Sequence, residues 1–186
     1  MRLSVSIVIP AWNEQQSIGA TLEGLHRLNG PGNPVWDEIV VVDDGSWDET
    51  FAQSKSWATK VIRHPVRKGK GAALETGWKN TTGDIVMFLD ADLGASVQHA
   101  PLLLEPIYQG SADMVIAHIP PRAGSGGFGL VKKLASFGIY RLSGFRPLAP
   151  LSGQRAVLRK VLTEIERLSG GFGIEVGLTI DAARKG

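Results

Sequence analysis

The sequence predicts an α/β fold with a Rossmann-like, mostly parallel central sheet flanked by helices. Three observations carry that prediction. Short β-branched runs alternate with helical stretches through the first 117 residues, as they do in βαβ units. Ile85–Leu89 is an unbroken apolar run, the pattern of a strand buried on both faces. Polar segments recur just after strands, where open α/β sheets bind their ligands.

Taken in order, Val5–Pro10 reads as the first strand, followed by a helix over Glu14–Leu28 with Ile18, Leu22 and Leu25 on one face. Glu38–Val42 is the second strand. Ser46-Trp47-Asp48-Glu49 has the spacing of a capping box and opens a helix to about Trp57. Lys60–Arg63 is a third strand, Gly71–Asn80 a helix and Ile85–Leu89 the fourth strand. A helix over Pro101–Tyr108 and a strand over Met114–Ala117 complete the first half. His118–Gly129, rich in Gly and Pro, reads as a loop, and Leu130–Leu142 as a basic amphipathic helix. A short strand or turn follows at Leu151–Gln154, then helices at Ala156–Leu168 and Ile174–Arg184. The expectation is one domain over residues 1–186, with halves 1–117 and 118–186.

Apolar residues make up 43% of the chain and charged residues 20%, an ordinary globular composition. A formal net charge of +2 gives no indication of a nucleic-acid partner. The absence of cysteine excludes thiolate catalysis, disulfides and Cys-based zinc sites, and fits a reducing compartment. Val5–Pro10 falls far short of the roughly 20 residues of a membrane span. The N-terminus reads directly as a strand, without a signal peptide's apolar stretch. The expected location is cytoplasmic.

Chemistry concentrates at the strand ends. The first strand runs into Pro10-Ala11-Trp12-Asn13-Glu14 and the second into Asp43-Asp44-Gly45-Ser46. Each segment alone also reads as a turn or helix cap. Together they place carboxylates and an amide where they can accept from a base N–H and ribose hydroxyls. Asp90-Ala91-Asp92 ends the fourth strand. Two carboxylates at i and i+2 can reach one Mg²⁺ or Mn²⁺, whose oxygen shell is completed by water and phosphates. Turn aspartates are the plainer alternative, but two carboxylates at a buried strand end repel unless a cation or donors compensate. The segment Arg67-Lys68-Gly69-Lys70-Gly71 is a basic, Gly-rich approach to a helix, suited to a pyrophosphate through backbone N–H groups. Alone it also fits a solvated turn.

These segments, with Val8-Ile9 before the first and Leu89 and Leu93 around the last, resemble the ordered signature of family-2 glycosyltransferases. Trp12 stands where that family usually has Tyr. The resemblance implies the GT-A fold, with a nucleotide-sugar-binding half over 1–117 and an acceptor-side half over 118–186. It implies that Pro10, Ala11, Asn13 or Glu14, and Asp44 line the nucleoside pocket and that Lys70 approaches the diphosphate. Asp92 would be the principal metal ligand, with Asp90 and Ala91 beside the sugar or ribose. The cofactor would be Mg²⁺ or Mn²⁺.

Pro150–Ala156 and Gly171–Leu178 resemble acceptor-side segments of glucosyl-3-phosphoglycerate synthases and, more loosely, of polyprenyl-phosphate sugar transferases. The implied reaction transfers a hexose from a nucleoside-diphosphate sugar to a small phosphorylated acceptor or a lipid phosphate. The Q-x-x-R-W motif of processive members is missing from the sequence, so transfer is expected to be non-processive. A downstream metal-binding His of the phosphoglycerate branch would fall past Gly186, so the acceptor-side half is expected to be short. An inverting transfer needs a carboxylate base; Glu175 is the first candidate and Asp181 the second.

Gly124–Gly129 matches G-x-G-x-x-G, yet it starts beyond the fifth strand and has Ala149 and Pro150 where an acidic residue would stand. A mobile acceptor loop fits it better. Lys132, Lys133 and Arg141 read as a solvated basic face, or as a peripheral contact with an acceptor phosphate or the inner membrane face. A homodimer is a further option. His118 ends the fifth strand, where it is a candidate to face the cleft. Two other functions compete. A sugar nucleotidyltransferase is disfavoured by Ala11-Trp12-Asn13-Glu14 in place of its G-x-G-T-R loop. A non-catalytic nucleotide-sugar-binding module stays open.

Overall fold

The computed structural model describes residues 2–30, 32, 34–118, 129–145, 148–149, 152–164 and 174–185, with the backbone alone at 129–133, 174–175 and 184–185. Six strands form one sheet: β1 (Val5–Ala11), β2 (Glu38–Asp43), β3 (Lys60–Arg63), β4 (Ile85–Phe88), β5 (Met114–Ile116) and β6 (Arg155–Leu158). Their spatial order is β3-β2-β1-β4-β6-β5. β1 pairs in parallel with both β2 and β4, and β2 with β3. The mostly parallel, Rossmann-like sheet expected from the sequence is therefore present. The order reverses at β1, so a crevice opens between the carboxyl ends of β1 and β4.

The helices are α1 (Ile18–Leu28), α2 (Thr50–Ser54), α3 (Lys70–Lys79), α4 (Glu105–Tyr108), α5 (Gly129–Ser143), α6 (Arg159–Thr163) and α7 (Ile174–Lys185). Successive side chains of a strand point to opposite faces, and β1 uses both. Val5, Ile7 and Ile9 join Ile18, Leu22 and Leu25 of α1 on one side. Val8 packs with Leu74 of α3, Leu162 of α6 and Leu178 of α7 on the other. All four residues of β4 are buried, each contributing on the order of 1.5–3 kcal/mol by removing apolar surface from water.

Several boundaries differ from the sequence reading. α1 begins at Ile18, because the amides of Ser17 and Ile18 first close a turn on the Glu14 carbonyl. The capping box at Ser46 does not form. Ser46 Oγ instead accepts from Asn13 N–H at 2.9 Å, while Asp48 Oδ1 accepts from Thr50 N–H at 3.0 Å. The helix expected over Pro101–Tyr108 is a 3₁₀ segment (Gly94–Leu103) followed by α4. Pro101 lacks the N–H that a longer α-helix would use.

The largest difference lies in the second half. Residues 156–158, read as the start of a helix, belong with Arg155 to β6, which inserts antiparallel between β4 and β5. Arg155 is buried there and donates to the Ser152 carbonyl at 2.6 Å. Residues 119–128, which hold all of the G-x-G-x-x-G match except Gly129, lie outside the described residues.

Carboxylates at the amino ends of the strands are consumed structurally. Asp37 Oδ2 accepts from Val5 N–H at 2.7 Å, and Asp84 Oδ2 from the Ser4 amide at 2.9 Å and the Ser4 hydroxyl at 2.8 Å. The two Ser4 bonds hold the Asp84 carboxyl below its usual range. Burial pushes Glu38 upward, but bonds from Ser6 and Thr82 outweigh it and bring the carboxyl down. The opposite end of the sheet is organised differently.

Candidate active site

The loops after β1 and β2 are laced together. Asp44 N–H donates to Ala11 O at 2.8 Å, and Glu14 N–H to Thr50 Oγ1 at 2.7 Å. Asn13 adopts a positive φ of 55°, and its carboxamide oxygen accepts from Trp47 N–H at 3.2 Å. The Asn13 carboxamide oxygen is thus turned to the β2 loop, while Glu14 lines the cleft. Gly45 has φ 77°, and a Cβ there would lie 2.8 Å from Arg67 N. That contact brings residues 66–67 against the β2 loop.

These loops and the β4 end enclose a cleft of about 340 Å³ lined by Pro10, Ala11, Trp12, Glu14, Asp44, Arg67, Lys70, Ala73, Asp90, Ala91 and Asp92. The structure therefore brings together Pro10, Ala11, Glu14, Asp44, Lys70, Asp90, Ala91 and Asp92 from segments far apart in sequence.

Asp44 is 3% exposed and fully engaged. Its Oδ1 accepts from Lys68 N–H at 2.8 Å and lies 2.7 Å from His64 Nδ1, while Oδ2 accepts from Gly69 N–H at 2.7 Å. The sequence reading gave those loop amides to a pyrophosphate. Two of them are already donated to Asp44, so the positive charge on that wall comes from the Arg67 guanidinium, the Lys70 ammonium and the first turn of α3.

Lys70 Nζ donates to Asp90 Oδ1 at 2.9 Å, and Gln154 Nε2 to Asp90 Oδ2 at 3.2 Å. A Cβ on Gly153 would sit 2.7 Å from both Asp90 Oδ1 and Lys70 Nζ. A side chain at position 153 would require that pair, or the segment before β6, to shift. Asp92, two residues on, is exposed on the cleft wall. Behind it, the buried Thr21 hydroxyl donates to Ala91 O at 2.8 Å and accepts from Gly94 N–H at 2.9 Å, fixing the turn that aims Asp90 and Asp92.

A divalent cation fits this donor set on chemical grounds. The described residues contain no group of three or more His, Asp or Glu that could hold a metal alone. Two carboxylates on one cleft wall are what Mg²⁺-type ions use when substrate phosphates complete the shell. Asp92 with Asp90 would hold the ion.

Sequence reasoning missed four contributors. Trp12 was noted only as a departure from Tyr, yet its ring lies 3.5 Å beneath the Arg67 guanidinium and edge-on to Trp47 at 5.3 Å. His64 and Thr21 act through contacts that no local motif reveals. Gln154 lay within a quoted segment but had no assigned role. It also lines a second, apolar cavity of about 470 Å³ with Leu89, Leu93, His99 and His118. His118 therefore faces that neighbouring cavity and not the cleft. Glu175 sits in the first turn of α7 by its backbone, and its assignment as a base lies outside the described residues. Asp181 is on the same helix, partly buried.

Comparison with known proteins agrees with this fold. The family model described as glycosyl transferase family 2 matches residues 6–164. The glucosyl-3-phosphoglycerate synthase of Mycolicibacterium smegmatis is 32% identical over 198 residues, covering 96% of this chain and 63% of that protein. The dolichol-phosphate mannosyltransferase of Pyrococcus furiosus is 31% identical over 189 residues, covering 96% of this chain and 53% of that protein. A crystal structure of glucosyl-3-phosphoglycerate synthase from Mycobacterium tuberculosis, in complex with Mn²⁺, UDP-glucose and phosphoglyceric acid, matches with a TM-score of 0.80 at 32% identity. That match covers 96% of this chain and 64% of the other. The chain spans less than two thirds of the length of these relatives. The GT-A fold expected from the motifs is the fold the chain has.

Proposed function

Because this chain belongs to glycosyl transferase family 2, we propose that it transfers a hexose from a nucleoside-diphosphate sugar to a phosphorylated acceptor, with the help of a divalent cation. The observation that carries the proposal is the shared cleft wall of Lys70, Asp90 and Asp92, a cation beside two carboxylates at the switch point of the sheet. Mn²⁺ or Mg²⁺ bound by Asp92 and Asp90 would neutralise the departing diphosphate.

Each neighbouring residue then has a task. Lys70 adds positive charge where the leaving group gathers negative charge. In the resting protein it neutralises Asp90, so it can turn from that carboxylate to an incoming phosphate without a large cost in solvation. Pro10, Ala11 and Glu14 form the nucleoside end, with Trp12 and Arg67 as an aromatic and cationic wall. Gln154 orients Asp90. Acceptor activation is assigned to Glu175 if the transfer inverts, since an inverting displacement needs a base at the acceptor hydroxyl.

For the acceptor, the relatives point to two chemistries that share a phosphate: phosphoglycerate and a lipid phosphate. No helix among the described residues is long and apolar enough to cross a membrane. We propose UDP-glucose as the donor, as in the mycobacterial complex. Isothermal titration of UDP-glucose with and without Mn²⁺ tests this, followed by product analysis with 3-phosphoglycerate. Binding is expected to require Mn²⁺, and Asp92→Ala is expected to abolish that metal-dependent binding. Equal affinity with and without the ion in the wild-type protein sinks the metal assignment. Tight binding without turnover would leave a sugar-nucleotide-binding module.

A further inference from the structure

His64 is a buried titratable side chain that the proposed transfer does not use. It follows β3, is 4% exposed, and has both ring nitrogens engaged. Nδ1 lies 2.7 Å from Asp44 Oδ1, and Nε2 lies 3.0 Å from Thr76 Oγ1 on α3. A carboxylate can only accept, so the proton of this pair belongs on Nδ1. In the neutral ring Nε2 then accepts from the Thr76 hydroxyl. The same Asp44 carboxylate takes Lys68 N–H and Gly69 N–H, and Gly69 immediately precedes α3 and Lys70. A continuous chain of bonds thus runs from Thr76 through His64 and Asp44 to the loop that carries Arg67 and Lys70.

We propose that His64 is a positioning residue for the donor site: it fixes the Asp44 carboxylate so that the Lys68–Gly69 amides, and with them Arg67 and Lys70, are set on the cleft wall. A histidine that merely filled space would have no need of a protonated Nδ1. The donor half of the inference rests on the proposed function; the positioning half rests on geometry alone.

The side-chain amide of Asn can reproduce the Nδ1 donor of histidine, whereas that of Gln reaches the Nε2 position. His64→Gln and His64→Asn are therefore unequal replacements. In His64→Gln, exchange of the Lys68 and Gly69 amides with solvent, read by ¹⁵N NMR, is expected to accelerate about tenfold, the effect of weakening one charge-assisted hydrogen bond. Donor kcat/KM should fall by a similar factor, since displaced Arg67 weakens donor binding and displaced Lys70 weakens stabilisation of the leaving group. His64→Asn should restore both. Equal damage in the two variants, or unchanged amide exchange in His64→Gln, overturns the proposal.

A measurement on the wild-type protein covers the case where neither variant folds. The ¹⁵N shifts of the His64 ring should show a protonated Nδ1, and a neutral ring protonated only at Nε2 overturns the inference. Faster amide exchange in His64→Gln with Asn rescue, in a protein that binds no sugar nucleotide, would uphold the positioning role and remove the donor assignment instead.

Discussion

Thr21 and Ala91, 70 positions apart in sequence, meet at 2.8 Å where the Thr21 hydroxyl donates to the Ala91 carbonyl. The same oxygen accepts from Gly94 N–H, so a buried side chain on α1 closes the turn that presents Asp90 and Asp92. The carboxylates are in sequence contact with that turn, but their aim is set from α1.

Thr21→Val keeps the shape of the side chain and removes both bonds, leaving a buried carbonyl and a partly buried amide without their partner. Each such group costs about 1–3 kcal/mol, so the urea midpoint is expected to fall accordingly. Mn²⁺-dependent nucleotide affinity should weaken as well. A variant with wild-type stability and wild-type metal dependence would show that the turn holds itself.

Gly153→Ala places a methyl group 2.7 Å from Asp90 Oδ1 and Lys70 Nζ. The pair must separate or the segment before β6 must lift. Transfer is expected to drop about ten- to a hundredfold, as small displacements of reacting groups do, while the melting temperature changes little. Steady-state kinetics alongside a thermal melt checks this.

Acid should weaken the fold through the opposite end of the sheet. Asp84 and Glu38 both have their carboxyl pKa lowered in the folded protein, Asp84 by its Ser4 bonds and Glu38 by bonds from Ser6 and Thr82 that outweigh burial. A carboxyl depressed on folding binds fewer protons than in the unfolded chain, so its stabilisation is present above the unfolded value. It is lost as pH falls through the folded one. Denaturation midpoints are thus expected to decline below the ordinary carboxylate range of about 4, and Asp84→Asn should flatten that decline. An unchanged acid slope in Asp84→Asn would remove this carboxylate as a contributor.

The sheet was legible where periodicity and burial agree. β4 announced itself because four successive apolar residues need cover on both faces, and β1 to β3 because β-branched runs preceded polar turns. β6 was not. Arg155-Ala156-Val157-Leu158 carries helix formers as readily as strand formers, and its choice is made by the open edges of β4 and β5. At the site, residues that touch the cleft were readable from strand ends. Asn13 reads alike in sequence whether its amide faces a ligand or the next loop; here its carboxamide oxygen bonds the loop after β2. Thr21 and His64 escaped because their partners lie on other elements, and a lone Thr or His carries no local mark of that.

The insertion of β6 has a consequence for synthesis on the ribosome. When residues 1–117 have emerged, β4 has β1 on one side and an open hydrogen-bonding edge on the other, and β5 has no strand to join. An apolar strand with a free edge is a template for pairing with other chains. The first half therefore cannot complete its sheet until residues 155–158 arrive, and a fragment cut near residue 117 should aggregate rather than persist as a small nucleotide-binding unit.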